Sequence, residues 1–445
     1  MPKYNYPDNI SFFRFLFKSS EITKNPIPFQ RKWFEEKGNS FSVWSPFRGH
    51  IILTRDADIS RRILQKKHKI YDKSELQTKF LSRYIGYGLL TSTGDYWLQQ
   101  RRLIQPGFHK EKIQNLISII QQTIEKEIEK IETDHFVDLY PIMNTLAFEV
   151  VAKSLFNFSA DQTTLKRLQI IIEKLQKFIV KEIRQPHKKL KYLLSGEIRY
   201  HMKLVKESRA IINTIIDERR NSKEVQDDLL DMLLNAKYDD GSSMTNDQLI
   251  DEILILFVAG HETTANALTF TLCLLAKHKE ALTKAANEVQ EVSRKDKTYL
   301  EIISHLKYVR SCIDESMRLY PPAWITDRVA MEDDTLGNYH IKKGTLLGIS
   351  IFELHRSKNY WKNPEIFDPD RFYSNEKKID SSYYLPFGAG PRMCIGNNFA
   401  IFEMVLAINT ILKKFEITSD TKPIEYLPLI TLKPVGIKLK FKEIQ

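Results

Sequence analysis

The chain has 445 residues, 42% hydrophobic and 28% charged, and lysine plus arginine exceed the acids by 67 − 56 = 11. That length and balance suit one large folded domain or two ordinary ones and exclude a disordered chain. Three cysteines, Cys273, Cys312 and Cys394, do not make a disulfide framework and point to a reducing compartment, so a cytoplasmic location is expected.

In the N-terminal twenty residues Arg14 and Lys18 interrupt a group of four phenylalanines. No run there reaches the roughly 20 apolar residues that span a bilayer. Neither a transmembrane anchor nor a secretory signal is expected, which leaves room for peripheral membrane contact. Residues 41–54, "FSVWSPFRGHIILT", read as a hairpin, with Pro46 and Gly49 at its turn. From about 96 to 290 the pattern is mostly helical. "KIQNLISIIQQTIEKEIEKI" places apolar residues at three- and four-residue spacing, with charges on the other face. Residues 323–351 and 424–442 read as short strands.

The expected fold is therefore mainly α with a minor β portion, as one domain over residues 1–445. Its β-rich parts are placed at about 30–70, 323–351 and 424–442, and its helical parts at 71–320 and 397–415. No glycine-rich phosphate loop follows a strand, which argues against a nucleotide-binding fold. No nucleic-acid partner is expected, and a monomer is.

A long helix is expected after "TNDQ", where Thr245 and Gln248 can form a capping box. The run "LIDEILILFVAGHETTANALTFTLCLLAKH" is apolar nearly all round, as in a helix through a core. Glu262 and Thr263 in its middle are costly there without partners or a task. Ala259, Thr263 and Ala267 make a small-residue stripe against which a flat group could lie.

The sharpest signal is "FGAGPRMCIG", residues 387–396. A thiolate can attack carbon or a disulfide, or bind a metal. No histidine base lies near Cys394 in sequence, and no further cysteines or histidines stand at zinc spacing. A lone thiolate suits a metal whose other positions a cofactor fills, and haem iron is that metal. Gly388, Gly390 and Gly396 permit a tight loop with N–H groups turned toward the sulfur, and Arg392 suits a propionate.

The string resembles the haem-binding signature of the cytochrome P-450 family, Phe-x-x-Gly-x-Arg-x-Cys-x-Gly, here Phe387, Gly390, Arg392, Cys394 and Gly396. Three further motifs agree in order and spacing: "AGHETTA", "ESMR" with the downstream "FDPDRF", and "WLQQR". The resemblance covers essentially the whole chain and implies haem b with Cys394 as axial ligand. It places Ala259 against the haem in a locally distorted helix. It makes Thr263 the hydrogen-bonding partner of dioxygen and Glu262, with water, the source of protons for O–O cleavage. Glu315, Arg318 and Arg371 become a buried network that holds the cysteine loop. Trp97, Arg101 and Arg328 become propionate donors, and His355 is a weaker, structural candidate.

The implied reaction inserts one oxygen atom from O2 into a C–H bond of a hydrophobic substrate. Electrons are expected from a separate ferredoxin or flavodoxin with its reductase. The alternative is a haem-thiolate gas sensor or electron carrier, against which the acid–alcohol pair argues. Candidate pocket residues are Leu89, Leu90, Phe257, Thr264, Ala323, Trp324 and Ile325, with Arg48 as a possible carboxylate anchor. "RLYPPAWI" and "AGHETTA" resemble soluble bacterial members that hydroxylate fatty acids or carotenoids. The basic segment 181–203 falls at the lid, where lipid attraction and a solvated face are both open readings.

Overall fold

The structure is a computed structural model. It describes residues 4–45, 49–157, 162–185, 188–222, 226, 228–294, 297–373 and 379–444. The longer helices, in chain order, are α1 (Ile27–Lys37), α2 (Gly94–Ile104), α3 (Lys110–Ile128), α4 (Leu139–Phe156) and α5 (Gln162–Arg184). They continue with α6 (Glu197–Asn221), α7 (Asn246–Lys277), α8 (Lys279–Ser293), α9 (Lys307–Leu319) and α10 (Asn397–Lys414). One sheet joins β1 (Asn9–Ile10), β2 (Ser40–Ser45), β3 (Gly49–Thr54), β4 (Tyr71–Asp72), β5 (Ile325–Ala330) and β6 (Leu346–Ser350) in the order β1-β2-β3-β6-β5-β4.

The expected 41–54 hairpin is present as antiparallel β2 and β3, with Phe41 opposite Leu53. β3 then pairs in parallel with β6, Ile51 opposite Leu346, which closes a connection of nearly 300 residues around the helical body. Helices also occur inside the stretch read as β-rich. In α1, Pro28 stands in the first turn, where its missing N–H costs nothing, and the helix buries Trp33 and Phe34 against Phe41.

Helix α7 forms the axis. It starts at the expected capping box, with the Thr245 side chain accepting from Gln248 N–H and Gln248 returning to the Thr245 N–H. Among the described residues it is the helix long and apolar enough to cross a membrane, yet 83% of its apolar window is buried in the fold. It packs on α4, where Phe257 stacks on Phe156 at 5.0 Å and meets Phe148 at 5.3 Å. Nearly all its residues from Leu249 to Leu275 are buried, and apolar burial contributes roughly 25 cal/mol per Å².

Candidate active site

The cysteine loop is built by backbone contacts. Cys394 N–H donates to Phe387 O at 2.9 Å, and Met393 N–H to Gly390 O at 3.0 Å. Gly388 and Gly390 have φ of +73° and +71°, and a Cβ on Gly390 would collide with the Leu64 carbonyl, so glycine is required there. The Cys394 thiol is reachable by solvent although it lies deep in the protein. Burial pushes its pKa up, while the Gly396 N–H and the Arg101 guanidinium pull it back toward the thiolate.

Behind the loop lies a saturated polar network. Arg318 is fully buried and pairs with Glu315 through Nε and Nη2 at 2.7 and 2.8 Å. Its remaining donors go to the carbonyls of His355, Pro364 and Ile366. Glu315 Oε1 also accepts from Asp368 N–H at 2.9 Å and Arg371 Nε at 3.3 Å. The guanidinium of Arg318 stands 5.1 Å from the Trp361 ring centre. His355 extends this network to the loop, since its Nε2 accepts the Leu385 N–H at 2.8 Å. Burial, with Arg318 and Arg356 beside it, pushes the His355 pKa down to about 3, so the ring is the neutral acceptor that bond needs.

Beside the loop is a cluster of cations. Arg392 lies 4.1 Å from the Trp97 ring centre and donates to Ser92 O at 3.0 Å and Asp72 Oδ1 at 3.1 Å. Arg328 is buried, with Nη1 donating to Asp327 O at 2.6 Å. Lys73, which sequence reading did not single out, joins them and donates to the Leu90 carbonyl. Burial and the two arginines push its pKa well down. Two arginines face two acids, Asp72 and Asp327, and Lys73 beside them is disfavoured as a cation, so an anion placed there would favour its charged form. Arg101 stands apart from this cluster, donating to Met393 O at 2.7 Å and Gln105 Oε1 at 3.1 Å, so its charge acts on the sulfur.

On α7, Ala259 is exposed and Thr263 half-buried, although the neighbouring Val258 and Glu262 are buried. These two residues therefore line an internal cleft. The helix is continuous from Asn246 to Lys277, so the expected local distortion is not seen. Instead the Thr263 hydroxyl donates to the Ala259 carbonyl at 2.7 Å. Glu262 points the other way, into a small polar cavity lined by Glu173, Gln176, Lys177, Glu262, Ile430 and Lys433. Gln176 Nε2 donates to its Oε2 at 2.9 Å, and burial raises its pKa.

The pocket candidates divide. Leu89, Leu90 and Ile325 are partly buried at the edge of the core, and Ala323 is exposed. Phe257 is core, held by Phe148 and Phe156, and does not line the cleft. Trp324 is also buried, its Nε1 donating to Leu429 O at 3.0 Å, and the Thr264 hydroxyl bonds back to Gly260 O at 3.0 Å. An apolar helix face shared by core and cleft has one composition, so the sequence does not separate the two. Arg48 lies outside the described residues.

The donor set fits haem b. A reachable thiol with the Gly396 N–H and the Arg101 guanidinium beside it, a cluster of Lys73, Arg328 and Arg392, and a small-residue helix face match the needs of iron, propionates and a macrocycle. The family model "Cytochrome P450" matches residues 5–441. This chain belongs to the cytochrome P450 family. Its relatives include a cytokinin hydroxylase of Arabidopsis thaliana, 31% identical over 95% of this chain and 85% of the relative. Others are cyclooctat-9-en-7-ol 5-monooxygenase of Streptomyces melanosporofaciens (30%; 83% and 79%) and human cytochrome P450 4V2 (28%; 94% and 82%). The P450 is thus a haem b monooxygenase, with a hydrophobic substrate and a redox partner. Its relatives span plants, human and Streptomyces, wider than the bacterial group its motifs suggest.

Proposed function

We propose that this P450 hydroxylates an apolar small molecule of the fatty-acid or isoprenoid class, with electrons from a separate ferredoxin or flavodoxin. The reading rests chiefly on one observation: an accessible cysteine thiol deep in the protein, together with a cleft walled by Ala259 and Thr263. Haem b, when bound, would supply the activation of dioxygen, one atom of which enters the C–H bond while the other leaves as water.

This chain's residues supply position and protons. The Gly396 N–H and Arg101 favour charge on Cys394 Sγ against the burial that opposes it. Lys73, Arg328 and Arg392 would hold the propionates, and Trp97 packs under Arg392. Glu262 carries a proton on its carboxyl more readily than a solvated glutamate does, because burial disfavours the charge. Gln176 and Lys433 link it to the polar cavity through which the proton is replaced. The Thr263 hydroxyl, released from Ala259 O, can pass hydrogen bonds into the cleft. Leu89, Leu90 and Ile325 keep the cleft apolar and exclude water.

The net charge of +11 suits an acidic electron donor, which would meet the side where Met393 and Lys110 are exposed. A cytoplasmic monomer completes the proposal. The test is a spectral titration of ferric holoprotein with long-chain fatty acids and with isoprenoid hydrocarbons. A saturable shift toward high spin with either series supports the class. No shift with either overturns it.

A further inference from the structure

Residues 86–92 carry the wall candidates Leu89 and Leu90, and their backbone is gripped from two directions. On the haem side Lys73 donates to Leu90 O and Arg392 to Ser92 O. On the α7 side two consecutive carboxylates take its N–H groups. Asp251 Oδ2 accepts from Tyr87 N–H at 2.8 Å. Glu252 accepts from Leu89 N–H, with both carboxyl oxygens 3.0 Å from the nitrogen. The fit is close, since a Cβ on Gly88 would lie 2.6 Å from the Glu252 carboxyl. Asp251 and Asp247 are in turn held by Arg209 of α6.

Glu252 has no part in the chemistry outlined above and is costly where it stands. It is fully buried and takes a single backbone N–H. The charged neighbour acting on it is Asp251, on its own helix; Tyr96 of α2 and Tyr238 face it from other elements. A residue kept under such strain of desolvation needs a return, and here it is a fixed loop.

We infer that Asp251 and Glu252 are positioning residues of the substrate pocket, holding residues 86–92 so that Leu89 and Leu90 stand at one distance from the cleft. The inference rests on the reading of those leucines as pocket wall. Through Arg209 the same grip ties α6 to that wall, so movement of α6 is felt at the loop. Burial pushes the Glu252 pKa up to about 8. Below that pH the protonated side chain sits in place. Above it, an anion beside Asp251 with one N–H donor is drawn toward water, and the loop loosens.

The test uses ferric holoprotein and two haem ligands of different bulk, imidazole and 4-phenylimidazole, read by the haem absorption band. Losing one buried hydrogen bond that sets the wall should change the ratio of the two affinities about tenfold in Glu252→Ala, with the thiolate band of the carbon monoxide complex retained. Glu252→Gln keeps an acceptor for Leu89 N–H, so its ratio stays near wild type at pH 7. From pH 7 to 9.5 the wild-type ratio shifts, whereas that of Glu252→Gln stays flat.

A Glu252→Ala ratio within about twofold of wild type, or wild type and Glu252→Gln following each other with pH, overturns the inference. If Glu252→Ala does not accumulate as holoprotein, the pH comparison decides alone. Hydrogen exchange at the Tyr87 and Leu89 amides, faster in Asp251→Ala and Glu252→Ala respectively, reads the grip without reference to haem. A missing thiolate band in wild type would therefore fell the monooxygenase reading while the exchange result still judged the grip.

Discussion

The two sides of the cleft are held by opposite kinds of chemistry. On the cysteine side, Glu315 and Arg318 are matched donor for acceptor, and each remaining guanidinium hydrogen meets a carbonyl. On the α7 side, Glu252 serves one N–H, Glu262 takes the Gln176 amide and the Thr431 hydroxyl with Lys433 nearby, and both carboxyls are still raised in pKa by burial. A saturated network has one low-energy arrangement and is rigid. An undersupplied carboxylate has a standing reason to move or change protonation. The contrast fits a protein that fixes its metal ligand and keeps its proton and substrate side adjustable.

The largest expected effect comes from removing the ligand. Cys394→Ala should abolish the thiolate band and lower turnover by at least about a thousandfold, measured by the carbon monoxide difference spectrum and product formation. Next is the network. Arg318→Met leaves the buried Glu315 with Arg371 and the Asp368 N–H as partners, at a cost of about 3–5 kcal/mol, and urea unfolding with haem content should register it. If stability is unchanged, the saturated side is not what makes the loop rigid.

On the adjustable side, Glu262→Gln should slow turnover by about a hundredfold with the fold intact, and solvent isotope effects should grow. Thr263→Ala should divert electrons to peroxide, read as product per NADPH in a reconstituted assay, with a smaller change in total electron use. A milder effect comes with acid. His355 has a folded-state pKa of about 3, below the usual 6.5, so its stabilising contribution is intact above pH 6.5 and is lost as pH falls toward 3. Thiolate-band retention against pH should follow that decline, and His355→Gln should remove part of it. Smallest is Arg14→Ala, whose exposed pairing with Glu36 should leave the unfolding midpoint unchanged.

Local patterns revealed much of this architecture. The capping box at Thr245, the hairpin around β2 and β3, and the cysteine loop are each written in a few adjacent residues. Lys73 was not legible in this way. It reaches Arg328 and Arg392 because β4 pairs with β5, Asp72 opposite Val329, and no short window holds that pairing. Glu252 did leave a signal, an acid in the same apolar run that made Glu262 conspicuous, but its partner is a backbone N–H with no side-chain signature. The separation of Phe257 from Ala259 turns on which helix faces them, which periodicity alone does not state.

Arg318 also bears on the order in which the chain can assemble. The acceptors it uses come from residues 315, 355, 364 and 366, and Glu315 in turn waits for residues 368 and 371. Until each of these stretches is in position, the interior holds a bare cation and an underserved anion, and partial structures are penalised. The loop that presents Cys394 is coupled to that group through His355 and Leu385. Docking of the segment after β6 and closure of the thiolate loop should then occur as one late, cooperative event.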